Sequence, residues 1–216
     1  MIRHHPSGEI LADYASGALR AGAALVVSCH VDGCDECRRE VSLLEGLGGL
    51  FLAKAAPIAL SDSALERTLK RIAENGHHAP SDGAVPEFLA RFNLPRQLRR
   101  HDIGARRWLA PGIWFAPIDM ETGGDDRTYL IYGAKDVTLP RHTHAEREFT
   151  AVLHGTYCDD LGRFTAGDFA EADDETWHAP DVTADSDCLC LISSDGPMKL
   201  AALSARLIQT FAGKQY

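Results

Sequence analysis

Long apolar runs are missing from this chain of 216 residues. Its longest uninterrupted apolar stretches, such as residues 21–27, fall far short of the roughly 20 residues that a membrane helix requires, so no membrane partner is expected. A basic N-terminus followed by an apolar core and small residues is also missing, which argues against a secretory leader. Positive charge is in deficit: 22 Lys and Arg face 31 Asp and Glu, for a net charge of −9. That excludes a broadly basic nucleic-acid surface. The local cluster Arg96, Arg99, Arg100, Arg106 and Arg107 reads as a solvated connector. Cysteine is too sparse for a secreted disulfide scaffold, with six in the whole chain. A reducing, cytoplasmic setting is therefore expected, and it leaves thiolates free for metal.

The remaining composition is that of a globular protein, with 45% hydrophobic and 25% charged residues. The length allows one large domain or two small ones. Charge favours two: residues 1–101 are balanced, and residues 102–216 carry the whole negative excess. Pattern agrees. Residues 6–19 read as a helix opened by Pro6 and Ser7, with an apolar stripe through Ile10, Leu11, Tyr14 and Leu19. A second helix is expected over 21–30 and a third from near Cys34. A fourth begins at the capping box Ser63-Ala64-Leu65-Glu66, with Leu65, Leu69 and Ile72 on one side. Three or four short helices make a marginal core. Residues 76–86 lack periodicity and are rich in turn formers, the best linker in the chain. Residues 87–100 read as a short helix or more of the connection. From Trp108 onward the runs are short and β-rich, at 112–118, 128–132, 149–153, 169–172 and 188–192. They predict an antiparallel sandwich or barrel, closed by a helix or strands over 199–212.

Two constellations carry chemistry. The first is His30, Cys34 and Cys37, a His-x3-Cys-x2-Cys pattern. Two thiolates and an imidazole are three of the four groups of a tetrahedral zinc site. The rival reading is a redox dithiol, but such a motif should follow a strand, and this one lies between helices. The fourth ligand must come from elsewhere, with His4, His5 and Cys29 as candidates. A ligand at the N-terminus would clip that end to the second and third helices and supply the stability a small helical core lacks.

The second constellation is His142-Thr143-His144, followed by Glu148 and Gly155. Histidines at i and i+2 project from one face of a strand. His178, beyond the turn Asp173-Asp174-Glu175, can complete three histidines and a carboxylate. Such a set suits zinc, iron, manganese or nickel and names none of them. Cys188 and Cys190 alternate in the same way and should share a face, where packing is the default for a free thiol.

The run His142-Thr143-His144-x3-Glu148-x6-Gly155 resembles the first cupin motif. Gly167 and His178 match the second, which departs from the usual pattern at Asp173-Asp174-Glu175. The order of parts, a His-x3-Cys-x2-Cys helical module ahead of a small cupin, resembles the ChrR family of zinc-binding anti-sigma factors. Arg3-His4-His5, residues 13–17 and Cys188-Leu189-Cys190 extend the likeness over nearly the whole chain. The resemblance implies a two-domain protein: a zinc-binding all-α module over 1–78, a connection over 79–100 and an all-β cupin over 101–216. It implies zinc at His5, His30, Cys34 and Cys37, and zinc or another divalent transition metal at His142, His144, Glu148 and His178. It further implies a cytoplasmic, non-enzymatic regulator. Such a regulator sequesters an extracytoplasmic-function sigma factor and releases it on an oxidative signal, singlet oxygen or organic peroxide, without touching nucleic acid. The rivals are a dioxygenase-like metal-dependent cupin enzyme with an accessory zinc module, and a zinc-stabilised interaction module with no sensory role.

Overall fold

The computed structural model describes residues 2–75, 85–120 and 127–201. Most of the expected linker and nearly all of the expected closing segment over 199–212 lie outside the described residues. Four helices come first: α1 (Gly8–Ser16), α2 (Ala21–Gly33), α3 (Asp35–Lys54) and α4 (Ala64–Asn75). Eleven strands follow: β1 (Arg107–Ala110), β2 (Ile113–Pro117), β3 (Arg127–Gly133), β4 (His142–His144), β5 (Glu148–His154), β6 (Thr156–Asp159), β7 (Gly162–Thr165), β8 (Phe169–Ala172), β9 (Asp181–Val182), β10 (Cys188–Ser194) and β11 (Met198–Leu200). The expected class, helices and then an antiparallel β domain, is the observed one.

Local chemistry sets the helix ends. The Ser7 hydroxyl accepts from the Ile10 amide and caps α1. Gly17 closes α1 with φ 73°, and its amide reaches back to the carbonyls of Asp13 and Tyr14. The break between α2 and α3 is a single extended residue, Cys34. It turns the chain so that His30, Cys34 and Cys37 converge.

The β domain is built on a six-stranded antiparallel sheet in the order β1-β2-β3-β10-β5-β8, with a three-stranded sheet β7-β6-β9 and the pair β11-β4. Period-two alternation divides the large sheet between two apolar layers. On β10, Cys188, Cys190 and Ile192 face the interior of the β domain together with Tyr157, Phe164 and Val182. Leu189 and Leu191 face the other way, into a layer shared with Ile10, Leu11, Val26 and Val27 of the helices. Helix α2 lies across β5 and β10 on this outer face. It packs tightly at Gly22, where an added Cβ would fall 2.6 Å from the Ser193 hydroxyl oxygen and closer still to that of Thr128.

The stretch after the linker joins this layer. Two 3-10 turns, Glu87–Leu89 and Leu98–Arg100, bury Leu89 and Leu98 completely. Arg91 pairs with Asp187, just before β10, and lies over the rings of Phe92 and Tyr132. Residues 85–100 are thus packed connection, not tether. Short 3-10 turns leave no periodicity, so sequence pattern could not distinguish the two.

The last part of the helical region is different. Helix α3 buries Cys37 and Val41 near its start. Beyond Leu44 it is exposed throughout, as is nearly all of α4. No single helix among the described residues is long and apolar enough to cross a membrane.

Candidate metal centres

The helical cluster is assembled from three elements. The extended N-terminus supplies His5, the end of α2 supplies His30, and the α2–α3 junction supplies Cys34 and Cys37. One ligand atom from each lies within 4.8 Å of every other. His5 Nδ1 is 3.4 Å from both Cys34 Sγ and Cys37 Sγ, and His30 Nε2 is 3.3 Å from Cys37 Sγ. Zinc bonds of about 2.3 Å to sulfur and 2.0–2.1 Å to nitrogen give tetrahedral S···N edges of about 3.5 Å, so the donor set fits that ion. His30 Nδ1 donates to the Gly167 carbonyl at 2.8 Å, which leaves the Nε2 lone pair aimed at the cluster. Burial lowers the His30 pKa and favours the neutral, ligating imidazole. Burial and the neighbouring Cys34 hold the Cys37 thiol well above its ordinary range. A coordinated cation reverses that, since metal binding deprotonates a thiol outright.

The other two candidates for the fourth position sit elsewhere. His4 lies against Phe164 with the rings tilted by 41° and 4.5 Å between centroids, its Nδ1 3.5 Å from Asp168. Cys29 packs in the apolar layer, its thiol pushed up to about 12 by burial.

In the β domain, His142, His144 and His178 bring one ring nitrogen each within 4.8 Å of the others. His142 and His178 exchange both backbone hydrogen bonds at 2.9 Å, which fixes them opposite each other. His142 Nδ1 donates to the Pro140 carbonyl at 2.7 Å, and His178 Nδ1 donates to Asp159 at 2.9 Å. These partners assign the tautomers and free both Nε2 lone pairs. His144 Nε2 lies 3.1 Å from His178 Nε2, and His144 Nδ1 lies 3.2 Å from the Glu148 carboxylate. A proton on His144 Nε2 would bridge the gap to His178 Nε2 as a hydrogen bond, and a cation between the two nitrogens would draw on both lone pairs instead. Burial depresses His142 to about 4 and His144 to about 3, so protons are poor occupants and a divalent metal a good one.

Glu148 stands beside this trio and does not converge with it. Its carboxylate meets the other nitrogen of His144 and accepts from the Tyr129 hydroxyl at 3.5 Å. Burial raises its pKa to about 8. The cavity next to the trio holds about 50 Å³ and is lined by Tyr129, Glu148, Cys188, Cys190 and Met198 among others. The Cys188 and Cys190 sulfurs are 3.7 Å apart, and both side chains are buried.

A family model described as the ChrR cupin-like domain matches residues 99–198. The anti-sigma-E factor ChrR of Cereibacter sphaeroides is 33% identical over 97% of this chain and 98% of its own. The chain belongs to the ChrR family of anti-sigma factors. A crystal structure of Rhodobacter sphaeroides SigE in complex with the anti-sigma ChrR is similar throughout. It has a TM-score of 0.72 and 31% identity, and it covers 90% of this chain and 100% of that one.

Sequence reading missed the residues that orient the candidate ligands of this ChrR-family chain. Asp159 fixes His178 from the β6–β7 turn. Only its place before Asp160-Leu161-Gly162 marked it, and that signals a turn. Pro140 and Tyr129 carried no signal. Gly167 was visible as a cupin-motif position, but its contact with His30, 137 residues away, was not.

Proposed function

We propose that this chain holds an extracytoplasmic-function sigma factor inactive in the cytoplasm and releases it when an oxidant reaches the cupin. The observation that carries the reading is full-length similarity to an anti-sigma factor whose relative was crystallised with its sigma factor. The exposed end of α3 and the whole of α4 support it. Leu47, Leu50 and Phe51 on α3 and Leu65, Leu69 and Ile72 on α4 are between 47% and 71% exposed. Apolar stripes of this size on neighbouring helices belong in a partner's groove.

In this reading His5, His30, Cys34 and Cys37 hold zinc, which ties the N-terminus to α2 and α3 and supplies folding free energy. His142, His144 and His178 hold a divalent transition metal, with Glu148 beside His144. Protein groups do the orienting: the Gly167 and Pro140 carbonyls and Asp159 set the imidazoles, and Tyr129 holds Glu148. A regulator needs no turnover, and a cavity of about 50 Å³ leaves an organic substrate little room.

The test is co-purification of the chain with an extracytoplasmic-function sigma factor from the native cell, followed by run-off transcription. A 1:1 complex that blocks transcription is expected. Release on exposure to a singlet-oxygen generator or an organic hydroperoxide tests the sensing half. A chain that binds no sigma factor sinks the proposal, and a complex indifferent to both oxidants sinks its sensory part.

A further inference from the structure

Three consecutive cupin residues hold both histidines of the helical cluster. They are Gly167, Asp168 and Phe169, at the turn between β7 and β8. The Gly167 carbonyl accepts from His30 Nδ1 at 2.8 Å. Asp168 Oδ1 accepts from the backbone amides of Arg3 and His4, at 2.7 and 3.1 Å. The next residue, Phe169, donates its amide to the His4 carbonyl at 3.0 Å. His5 follows immediately, so the path of the chain into the cluster is set by Asp168 and Phe169. The N-terminal segment lies against the turn so closely that a Cβ on Gly167, whose φ is +97°, would fall 2.8 Å from Ile2 Cγ1.

The same turn is tied to the three-histidine site. His178 Nδ1 donates to Asp159 Oδ2 at 2.9 Å. The other oxygen of Asp159 accepts from the amides of Leu161 and Gly162, at 2.9 and 3.2 Å, and so holds the β6–β7 turn. Strand β7 runs back from that turn, paired with β6, and ends at Thr165. The Thr165 amide and hydroxyl donate to Asp168 Oδ2 at 2.8 and 3.0 Å. One carboxylate, 1% exposed, therefore joins the end of β7 to the N-terminal segment bearing His5.

We propose that the β7–β8 turn carries the state of the three-histidine site to the Cys/His cluster, with Asp168 as the positioning residue. This deepens the anti-sigma reading and rests on it. A change at His178 shifts Asp159 and the end of β7, and Asp168 passes the shift to the approach of His5 and to the Gly167 carbonyl that orients His30. The cluster then holds its metal in two arrangements of different affinity, and that difference is the coupling free energy between the sites.

The test uses the full chain and cobalt(II). Thiolate-to-cobalt charge-transfer absorbance reports the Cys/His cluster once Cys188 and Cys190, the two thiols lining the cavity beside the three histidines, are changed to serine in every protein compared. Asp168→Asn preserves volume but turns a donor toward the Thr165 amide. It should weaken cobalt at the cluster about 10-fold or more, the range for residues that orient metal ligands. Asp159→Asn, which touches no atom of the cluster, should also weaken it, by several-fold. In the Asp168→Asn background, Asp159→Asn should have no further effect.

Parental affinity in Asp168→Asn, or two effects that simply multiply, overturns the proposal. If Asp168→Asn does not fold, the same cycle is run with Thr165→Val, which removes one donor, under the same criterion. A purely structural role would lower the thermal midpoint and leave the cycle additive. Sigma capture by the parent chain is measured separately. Its absence defeats the anti-sigma reading, and an additive cycle with intact capture defeats only the coupling.

Discussion

Gly22→Ala tests how tightly the helical region is seated on the cupin sheet. On an isolated helix the change would help, since alanine exceeds glycine by up to about 1 kcal/mol. Here the new methyl meets Ser193 Oγ at 2.6 Å and Thr128 Oγ1 closer still, below any ordinary carbon contact. Both residues are nearly fully buried, at 2% and 5% exposure. Rotating their hydroxyls gives little relief in a packed layer, so α2 must lift from β10. Overpacking of this kind costs about 1–3 kcal/mol, and so severe an overlap belongs at the upper end. Subtracting the propensity gain leaves a net loss of about 2 kcal/mol. For a chain of this size that lowers the melting temperature by roughly 4–8 °C.

The control is Gly48→Ala on α3, where nothing lies within 4 Å of the added atom. It should stabilise by about 0.5–1 kcal/mol. The compensating variant combines Gly22→Ala with Thr128→Ala and Ser193→Ala, which clears the two oxygens. The Thr128 hydroxyl has no hydrogen-bond partner among the described residues, so its removal forfeits no bond. Chemical denaturation of these variants, the parent and the Thr128→Ala, Ser193→Ala double variant decides the matter. Parental stability in Gly22→Ala, or the same cost with and without the clearing changes, would refute close seating of α2.

Cys37→Ser should abolish the charge-transfer band and make thermal unfolding indifferent to a chelator, whereas the parent should lose stability when chelator is added. Leu47→Glu and Leu69→Glu fall at exposed sites and should change stability by about 0.5 kcal/mol or less. Capture of the sigma factor should fall at least about 10-fold for each, and full capture would remove that helix from the interface. Asp168 has a pKa lowered to about 2, with four hydrogen bonds to its carboxylate outweighing burial. A depressed carboxyl stabilises the fold above its unfolded pKa and loses that contribution as pH falls through the folded one. The term is about 2 kcal/mol at neutral pH. Acid unfolding of Asp168→Asn beside the parent should show a stability gap that is present above about pH 4 and closes toward about pH 2.

Patterns with a short period were legible in the sequence. The four helices announced themselves by apolar spacing and by Ser7 and Gly17 at the ends of α1. The strands at 112–118, 128–132, 149–153, 169–172 and 188–192 did so by β-branched and aromatic content. The strands that escaped notice were β1, β6, β7 and β9, all of two to four residues, too short to show alternation. Local metal-binding patterns were legible for the same reason, because i, i+2 and i, i+3 spacings are geometry written into sequence. Which of His4, His5 and Cys29 meets Cys34 was not legible. The answer depends on Asp168 and Phe169 drawing the N-terminus along the β7–β8 turn, and contacts separated by some 165 residues leave no mark on one sequence. Asp159 was silent because a turn aspartate and an imidazole-orienting aspartate look alike until His178 is placed beside it.

Helix α3 shows how the two roles of the helical region are kept apart. Its apolar spacing is much the same from end to end, yet Cys37 and Val41 are buried while Leu47 is 48% and Leu50 60% exposed. The buried half faces α1, the Cys/His cluster and, through α2, the sheet. The exposed half leads into α4, which carries its stripe of Leu65, Leu69 and Ile72. A partner can therefore cover the end of α3 and α4 without displacing any residue that packs on the cupin. Signal and grip then meet only at the start of α3, where Cys34 and Cys37 sit. An oxidant that acted by prising the helical region off the sheet would have to expose Val26, Val27, Leu189 and Leu191, four side chains at or near zero exposure. Full burial of each is worth about 1.5–3 kcal/mol. A change of ligand geometry within the cluster avoids that cost and still moves α3 relative to α2. That is why the turn holding His5 and His30, and not the wide apolar layer, is the economical place for the signal to pass.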